Sequence, residues 1–223
     1  TFNAFGAVLM AGTVRHSSSV TLDRILKAAR DAFSVHGFDG AKLDSIAKSA
    51  GVTKQLVYHY FKTKEELYGV VLDRIGADVH AMLDTPDYDE LTPPDAVAAL
   101  IDRIIQNNIE LPFLIGMTVD QALHQGEHVT RRSQYLPAVR KFVEGRIVPL
   151  LNRGVVTGDF RTGVDPYLFY WSVFALATGS FAQNWSMSET CGVDFSSEPG
   201  IALWRDHVLA LTLGGLRTTA LPA

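Results

Sequence analysis

Ala50-Gly51-Val52-Thr53-Lys54-Gln55-Leu56-Val57-Tyr58-His59-Tyr60-Phe61-Lys62-Thr63-Lys64-Glu65-Glu66-Leu67 is the stretch that decides the fold. Gly51-Val52 turns the chain, and the Thr53 hydroxyl is placed to cap the free amides of a short helix over Lys54 to Phe61. Val57 and Phe61 stand four apart on one side of it, which assigns them to a core. Lys54, Gln55, Leu56, Tyr58, His59 and Tyr60 are left for the outer surface. Two outward tyrosines make poor sense on a solvated helix and good sense where their hydroxyls donate to phosphate oxygens. Thr63 caps the next helix, which opens Lys64-Glu65-Glu66-Leu67 and runs to about Leu83, its acids complementing the positive end of the helix dipole.

Upstream, Leu43 to Ala50 reads as another short helix that buries Leu43, Ile46, Ala47 and Ala50. Two short helices joined by a Gly-containing turn, each with an apolar inner face, make a helix-turn-helix. Phe38-Asp39-Gly40 before it reads as a turn, and Gly37 ends a helix that starts at Thr21. Leu22, Ile25, Leu26, Ala29, Phe33 and Val35 form that helix's inward stripe. Residues 1–20 are expected to be a flexible arm. The apolar run from Phe2 to Gly12 has no basic residue ahead of it, which argues against a targeting signal. Downstream, Asp84 to Pro94 is a loop, and helices are expected at 95–110, 112–125, 129–153, 166–187 and 198–216. Pro137 and Pro149 kink or divide theirs. Strand-like alternation fails almost everywhere. The expected fold is all-α, with a three-helix domain over 21–66 and a larger helical body over 67–223.

Composition narrows the function. Of 223 residues, 47% are apolar and 20% charged, which excludes a disordered or fibrous chain. The single cysteine, Cys191, excludes an intrachain disulfide and a Cys-pair zinc site, and suits a reducing cytoplasm. The 23 uncharged residues from Pro166 to Ser188 are long enough to span a bilayer. Ser172, Thr178, Gly179, Ser180, Gln183, Asn184 and Ser186 interrupt them, so a buried helix is preferred and no membrane partner is expected. The net charge of −4 hides a split: Arg15 to Lys64 holds nine Lys and Arg against four Asp, a net +5, and the rest carries −9. A basic module on an acidic body is the asymmetry expected when one small part faces a polyanion.

With these residues in register, the run Gly37-Phe38-Asp39-Gly40-Ala41, then Ile46-Ala47, then Ala50 to Leu67 resembles the DNA-binding domain of TetR-family transcriptional regulators. The resemblance covers roughly Leu22 to Leu72. It implies that Thr53 caps the third helix and can touch a phosphate, while Lys54 and Gln55 occupy the turn that reads bases. Lysine to guanine and glutamine to adenine are the pairings whose donor geometry fits. Leu56 offers apolar contact, for instance to a thymine methyl. Tyr58, Tyr60 and Lys64 match phosphate-contacting positions. His59 reads as a spacer, with a phosphate contact as the alternative. Lys42 stands where the family often has a capping Ser or Thr, so that cap is lost, although Lys42 can itself reach a phosphate. Asp44 lies where some relatives carry a base-reading arginine, so base contacts from the second helix are not expected.

The resemblance further implies a helical second domain that binds a small molecule and dimerises. The residues of 166–187 (Tyr167, Tyr170, Trp171, Phe174, Phe181, Trp185) and of 198–216 (Ile201, Trp204, Val208, Leu211, Gly215) fit a four-helix interface between two copies. Polar or aromatic residues in apolar company mark a pocket for a mostly apolar or aromatic effector: Asn108, Phe113, Met117, Gln121, His124, Tyr135, Trp171 and Phe174. The expected function is therefore that of a cytoplasmic, ligand-responsive regulator, most simply a repressor, that binds a palindromic operator in double-stranded DNA as a homodimer. No cofactor and no metal are expected. The rival is a metal-dependent hydrolase, because His124-Gln125-Gly126-Glu127-His128 fits H-x-x-E-H. That chemistry needs one continuous helical turn, and Gly126 interrupts it. No Gly-x-Ser-x-Gly, phosphate-binding glycine loop or dinucleotide fingerprint is present.

Overall fold

The computed structural model describes residues 5–128 and 133–217. The elements are α1 (Phe5–Gly40), α2 (Leu43–Ala50), α3 (Lys54–Tyr60), α4 (Lys64–Leu83), α5 (Pro93–Glu110), α6 (Phe113–Leu123), α7 (Tyr135–Phe142), a π-helical turn (Val143–Ile147), α8 (Val148–Thr157), α9 (Pro166–Ala182), α10 (Asn184–Cys191) and α11 (Glu198–Leu216). No strand occurs among the described residues. The chain forms two compact units, one of Thr1–Arg74 with Gly116–Ser133 and the other of Ile75–Ile115 with Gln134–Ala223. The first unit thus recruits 67–74 and 116–133 from beyond the expected 66/67 division.

In the first unit, Ile25, Ala29 and Phe33 of α1 are fully buried, as their helical spacing requires. Val35 is not on that stripe; it is 74% exposed. The helix does not start at Thr21 either. Residues 1–20, expected as an arm, are helical from Phe5 onward, because no proline interrupts the stretch and the backbone ladder simply continues. Nor is Phe38-Asp39-Gly40 an open turn. Gly37, at φ 67° and ψ 178°, breaks the helix direction, and one more helical turn follows it. Phe33, Phe38 and Tyr68 meet beneath this kink, with Tyr68 edge-on to both rings at 4.9 and 5.3 Å.

A second layer seals the kink. The buried Asp120 on α6 accepts from the Phe38 amide at 2.8 Å and from the Tyr68 hydroxyl at 2.6 Å. Burial first, and then this carboxylate, push the Tyr68 phenol far above its ordinary pKa. Gly116 lets α6 lie directly on α1, since a Cβ there would overlap the Ser34 carbonyl.

The second unit is built around a continuous apolar core. Leu100, Ile101 and Ile104 of α5 pack with Val143, Ile147, Val173 and Val208. The predicted helix over 129–153 is divided, and 129–132 lie outside the described residues. Pro149 lacks an N–H, so the ladder slips, and the Val148 amide reaches back five residues to the Val143 carbonyl. The predicted helix over 166–187 is also divided, with non-helical backbone at Gln183 between α9 and α10. No helix among the described residues is long and apolar enough to cross a membrane.

Candidate nucleic-acid interface

The interface is built on α3. The Thr53 side chain accepts from the Leu56 amide at 3.2 Å, closing the first turn as its cap position predicts. Val57 is 1% exposed and Phe61 is buried, so these two side chains anchor the helix. That orientation leaves Thr53, Lys54, Gln55, Tyr58 and His59 exposed, with Leu56 and Tyr60 half-buried. Tyr58 is 42% exposed despite its large apolar ring. The His59 ring stands edge-on to Tyr60 at 5.7 Å and thereby helps to fix it.

The turn ahead of α3 is held from a distance. Gly51 adopts the left-handed conformation, with φ 63°, that ends α2. The Arg24 guanidinium on α1 donates to the carbonyl oxygens of both Ala50 and Gly51. After α3, the Thr63 hydroxyl accepts from the Glu66 amide at 3.1 Å, and the Glu66 carboxylate accepts from the Lys62 amide at 2.7 Å. The start of α4 is therefore capped from both directions.

Two of the cations sit in specific settings. Lys54 Nζ donates to Asp44 Oδ2 at 2.9 Å, and this hydrogen bond, then the carboxylate's charge, raise the lysine pKa. Asp44 therefore does more than remove a base contact from α2: it holds the lysine expected to read bases. Lys64 Nζ lies 4.6 Å over the Phe38 ring and donates to the Asp39 carbonyl at 3.3 Å. Lys42 precedes α2 with no side-chain cap, as its ammonium requires, and is exposed. It borders a groove of about 430 Å³ between α1 and α2 that also includes Asp31, His36 and Ser49.

Comparison with known proteins decides the family. The tetR family of bacterial regulatory proteins matches residues 25–71, and the tetracyclin repressor-like C-terminal domain matches residues 93–211. The chain belongs to the TetR family. As a TetR-family member it is a DNA-binding, ligand-responsive transcriptional regulator. It is 29% identical over 197 residues to the HTH-type transcriptional repressor NicS of Pseudomonas putida, covering 88% of this chain and 92% of NicS. Its fold is shared with the fatty acid degradation regulator FadR of Bacillus halodurans (TM-score 0.67, 23% identity, 88% of this chain and 96% of that one). It is also shared with FadR of Bacillus subtilis, solved in complex with stearoyl-CoA (TM-score 0.64, 22% identity, 88% and 100%).

The eight residues expected to line an effector pocket of this TetR-family protein divide between the two compact units. Asn108, Phe113, Tyr135, Trp171 and Phe174 belong to the second; Met117, Gln121 and His124 belong to the first. Asn108 is buried but donates to the Ile104 carbonyl of its own helix at 2.8 Å. Phe113 is half-buried. Tyr135 packs against the apolar core, and burial raises its phenol pKa. Phe174 packs there too, with Trp171 edge-on to it at 5.6 Å and partly exposed. Met117 is fully buried, and Gln121 donates to the Met117 carbonyl at 3.3 Å.

His124 is held at the end of α6 by two polar contacts. Its Nδ1 donates to the Asp120 carbonyl at 2.9 Å and its Nε2 faces Asp39 Oδ2 at 3.3 Å; these contacts, in that order, raise its pKa. The H-x-x-E-H reading needs a continuous helix, but α6 ends at Leu123, and Gln125 and Gly126 take positive φ of 50° and 72°. The carboxylate that joins the two imidazoles is that of Asp39 and not of Glu127.

Reading the sequence residue by residue missed Asp120, Tyr68 and Asp39, because each acts across 52 residues or more. It also missed three buried polar atoms of the second unit, His80 Nδ1, Ser180 Oγ and Thr212 Oγ1, that have no hydrogen-bond partner among the described residues.

Proposed function

We propose that this regulator represses transcription in the cytoplasm by binding a palindromic operator as a homodimer, and that a small, mostly apolar or aromatic effector releases it. The observation that carries the reading is the outer face of α3, where Lys54, Gln55 and Tyr58 are presented on a helix anchored by the buried Val57 and Phe61. In this reading residues 21–66 contact DNA and 67–223 hold the effector and the second subunit. Lys54 and Gln55 meet base edges, Leu56 meets a thymine methyl, and Lys42, Thr53, Tyr58, Tyr60 and Lys64 meet phosphates. His59 braces Tyr60. The name of NicS supports repression.

Dimerisation draws support from apolar residues that the second unit leaves exposed. Leu168 (70%) and Trp171 on α9, and Leu203 and Leu211 on α11, face solvent. Of the stripe expected from sequence, Trp171, Trp185 and Leu211 are exposed, whereas Tyr170 and Val208 point into the chain's own core and Trp204 Nε1 donates to the Leu176 carbonyl at 2.9 Å. Two copies of α3 then sit about one turn of DNA apart, roughly 34–36 Å, or a multiple of it. An effector releases the operator by its higher affinity for the dimer geometry in which that spacing fails.

The test is fluorescence anisotropy on operator and scrambled duplexes across a salt series. Tyr58→Phe and Lys64→Ala weaken binding to both, and Lys64→Ala lowers the salt slope by about one. Gln55→Ala weakens the operator selectively. Equal loss on both duplexes from Gln55→Ala overturns the assignment of α3 as the base reader.

A further inference from the structure

The end of α6 carries chemistry that DNA binding does not use. After Leu123 the backbone turns back through the left-handed pair Gln125 and Gly126, with the Gly126 amide donating to the Gln121 carbonyl at 3.1 Å. The turn brings the His124 and His128 rings together, with centroids 4.8 Å apart. Asp39, on the helical turn that follows the Gly37 kink, completes the group. One nitrogen of each imidazole and one carboxylate oxygen of Asp39 all lie within 4.8 Å of one another. Tetrahedral bonds of about 2.0–2.1 Å would place such atoms about 3.4 Å apart. His124 Nε2 and Asp39 Oδ2 are already at 3.3 Å. Closing the rest needs movement of the exposed Asp39 side chain and of the short turn.

The surroundings organise these groups as ligands. His124 Nδ1 donates to the Asp120 carbonyl, which leaves Nε2, turned toward Asp39, as the atom that can ligate a metal, the usual arrangement behind a metal-bound histidine. Asp120 is itself fixed by Tyr68 and the Phe38 amide. The His128 ring stacks on Phe38 at 3.6 Å with an interplanar angle of 21°, and its Nε2 is buried with no hydrogen-bond partner among the described residues. An imidazole that has an orphaned nitrogen and shares its surroundings with a carboxylate and a second imidazole calls for a ligand. Lys64, bonded to the Asp39 carbonyl, opposes the added positive charge of an ion.

We propose that Asp39, His124 and His128 bind one divalent transition-metal ion of the zinc type, joining the end of α6 to the turn that leads from α1 into α2. Two imidazoles select zinc, nickel or cobalt over magnesium and calcium, and three protein ligands leave a position for water. The ion braces the segment from Gly37 to Lys42, and so the entry to the helix-turn-helix. This site does not depend on the operator or effector assignments, because it is tested without DNA.

The experiment uses untagged full-length protein, stripped with EDTA and dialysed. Co2+ produces a visible d–d band that saturates at one ion per chain, and Zn2+ abolishes it. Zn2+ at about a hundredfold over its dissociation constant raises Tm by about 5–10 °C. His124→Ala loses the band. Asp39→Asn, a change at an exposed side chain that leaves the circular dichroism unchanged, weakens Co2+ at least tenfold. Absence of the band in the wild-type protein, or wild-type affinity in Asp39→Asn, overturns the site.

Discussion

The two compact units each have an apolar core and an arginine fork but place their directional contacts differently. The first adds to buried apolar residues such as Ile25, Phe33, Ile46 and Val57 a set of directional contacts around the helix-turn-helix: the kink at Gly37, the Asp120 carboxylate shared by Phe38 and Tyr68, the close approach at Gly116 and the Arg24 fork. The second depends on a broad apolar core drawn from α5, α7, α8, α9 and α11. A broad core spreads its energy over many interchangeable contacts and tolerates drift in any one of them. A point contact cannot be spread. Around α3, the contacts that set the angle of the helix are of this less forgiving kind.

Substitutions separate the two modes. The largest effect is expected at Gly116→Ala, where the new Cβ meets backbone and not a movable side chain. We expect a loss of about 3–4 kcal/mol in chemical denaturation, larger than most single-methyl insertions. A loss below about 1 kcal/mol breaks the contrast, because it means α6 can lift from α1 freely. Leu100→Ala, in the fully buried centre of the second unit, costs about 3 kcal/mol through the cavity left behind. Leu100→Met costs under about 1.5 kcal/mol, since volume is kept. A Met variant as damaging as the Ala variant shows that the second core is as specific as the first. Tyr68→Phe removes one donor from Asp120 and costs about 1–2 kcal/mol in the same assay. The smallest effect is on binding: Asp44→Ala frees Lys54 and removes an anion, strengthening DNA association severalfold in low salt and hardly at all in high salt. Weaker binding in that variant would mean that Asp44 positions Lys54 for the duplex.

Legibility in the sequence followed the same division. α2 begins and ends as its spacing predicts, because Gly51 and the inward Ile46, Ala47 and Ala50 are all local signals. The outward face of α3 was legible for the same reason: Thr53, Val57 and Phe61 fix its rotation within nine residues. The N-terminal extension of α1 was not, because Thr21 offers a local cap signal while nothing in residues 5–20 marks the helix as continuing through it. The break at Gln183 was also missed, since Phe181, Trp185 and Met187 keep an apolar rhythm across it. Nor could Asp39 be paired with His124, 85 residues away, since spacing within one element says nothing about which elements meet. The aromatic-rich α9 misled in another way: it is apolar on every side, so periodicity could not tell Tyr170, which is buried, from Trp171, which is not.

The Arg24 guanidinium carries a consequence for how this molecule can change. It bridges two successive carbonyls from a position 26 residues earlier in the chain, so the pitch at which α3 leaves α2 is partly written into α1. A lysine at 24 keeps the charge but can satisfy only one geometry at a time, leaving the turn free to rock. Drift in DNA preference can therefore arise from a position on α1, with the α3 residues themselves untouched.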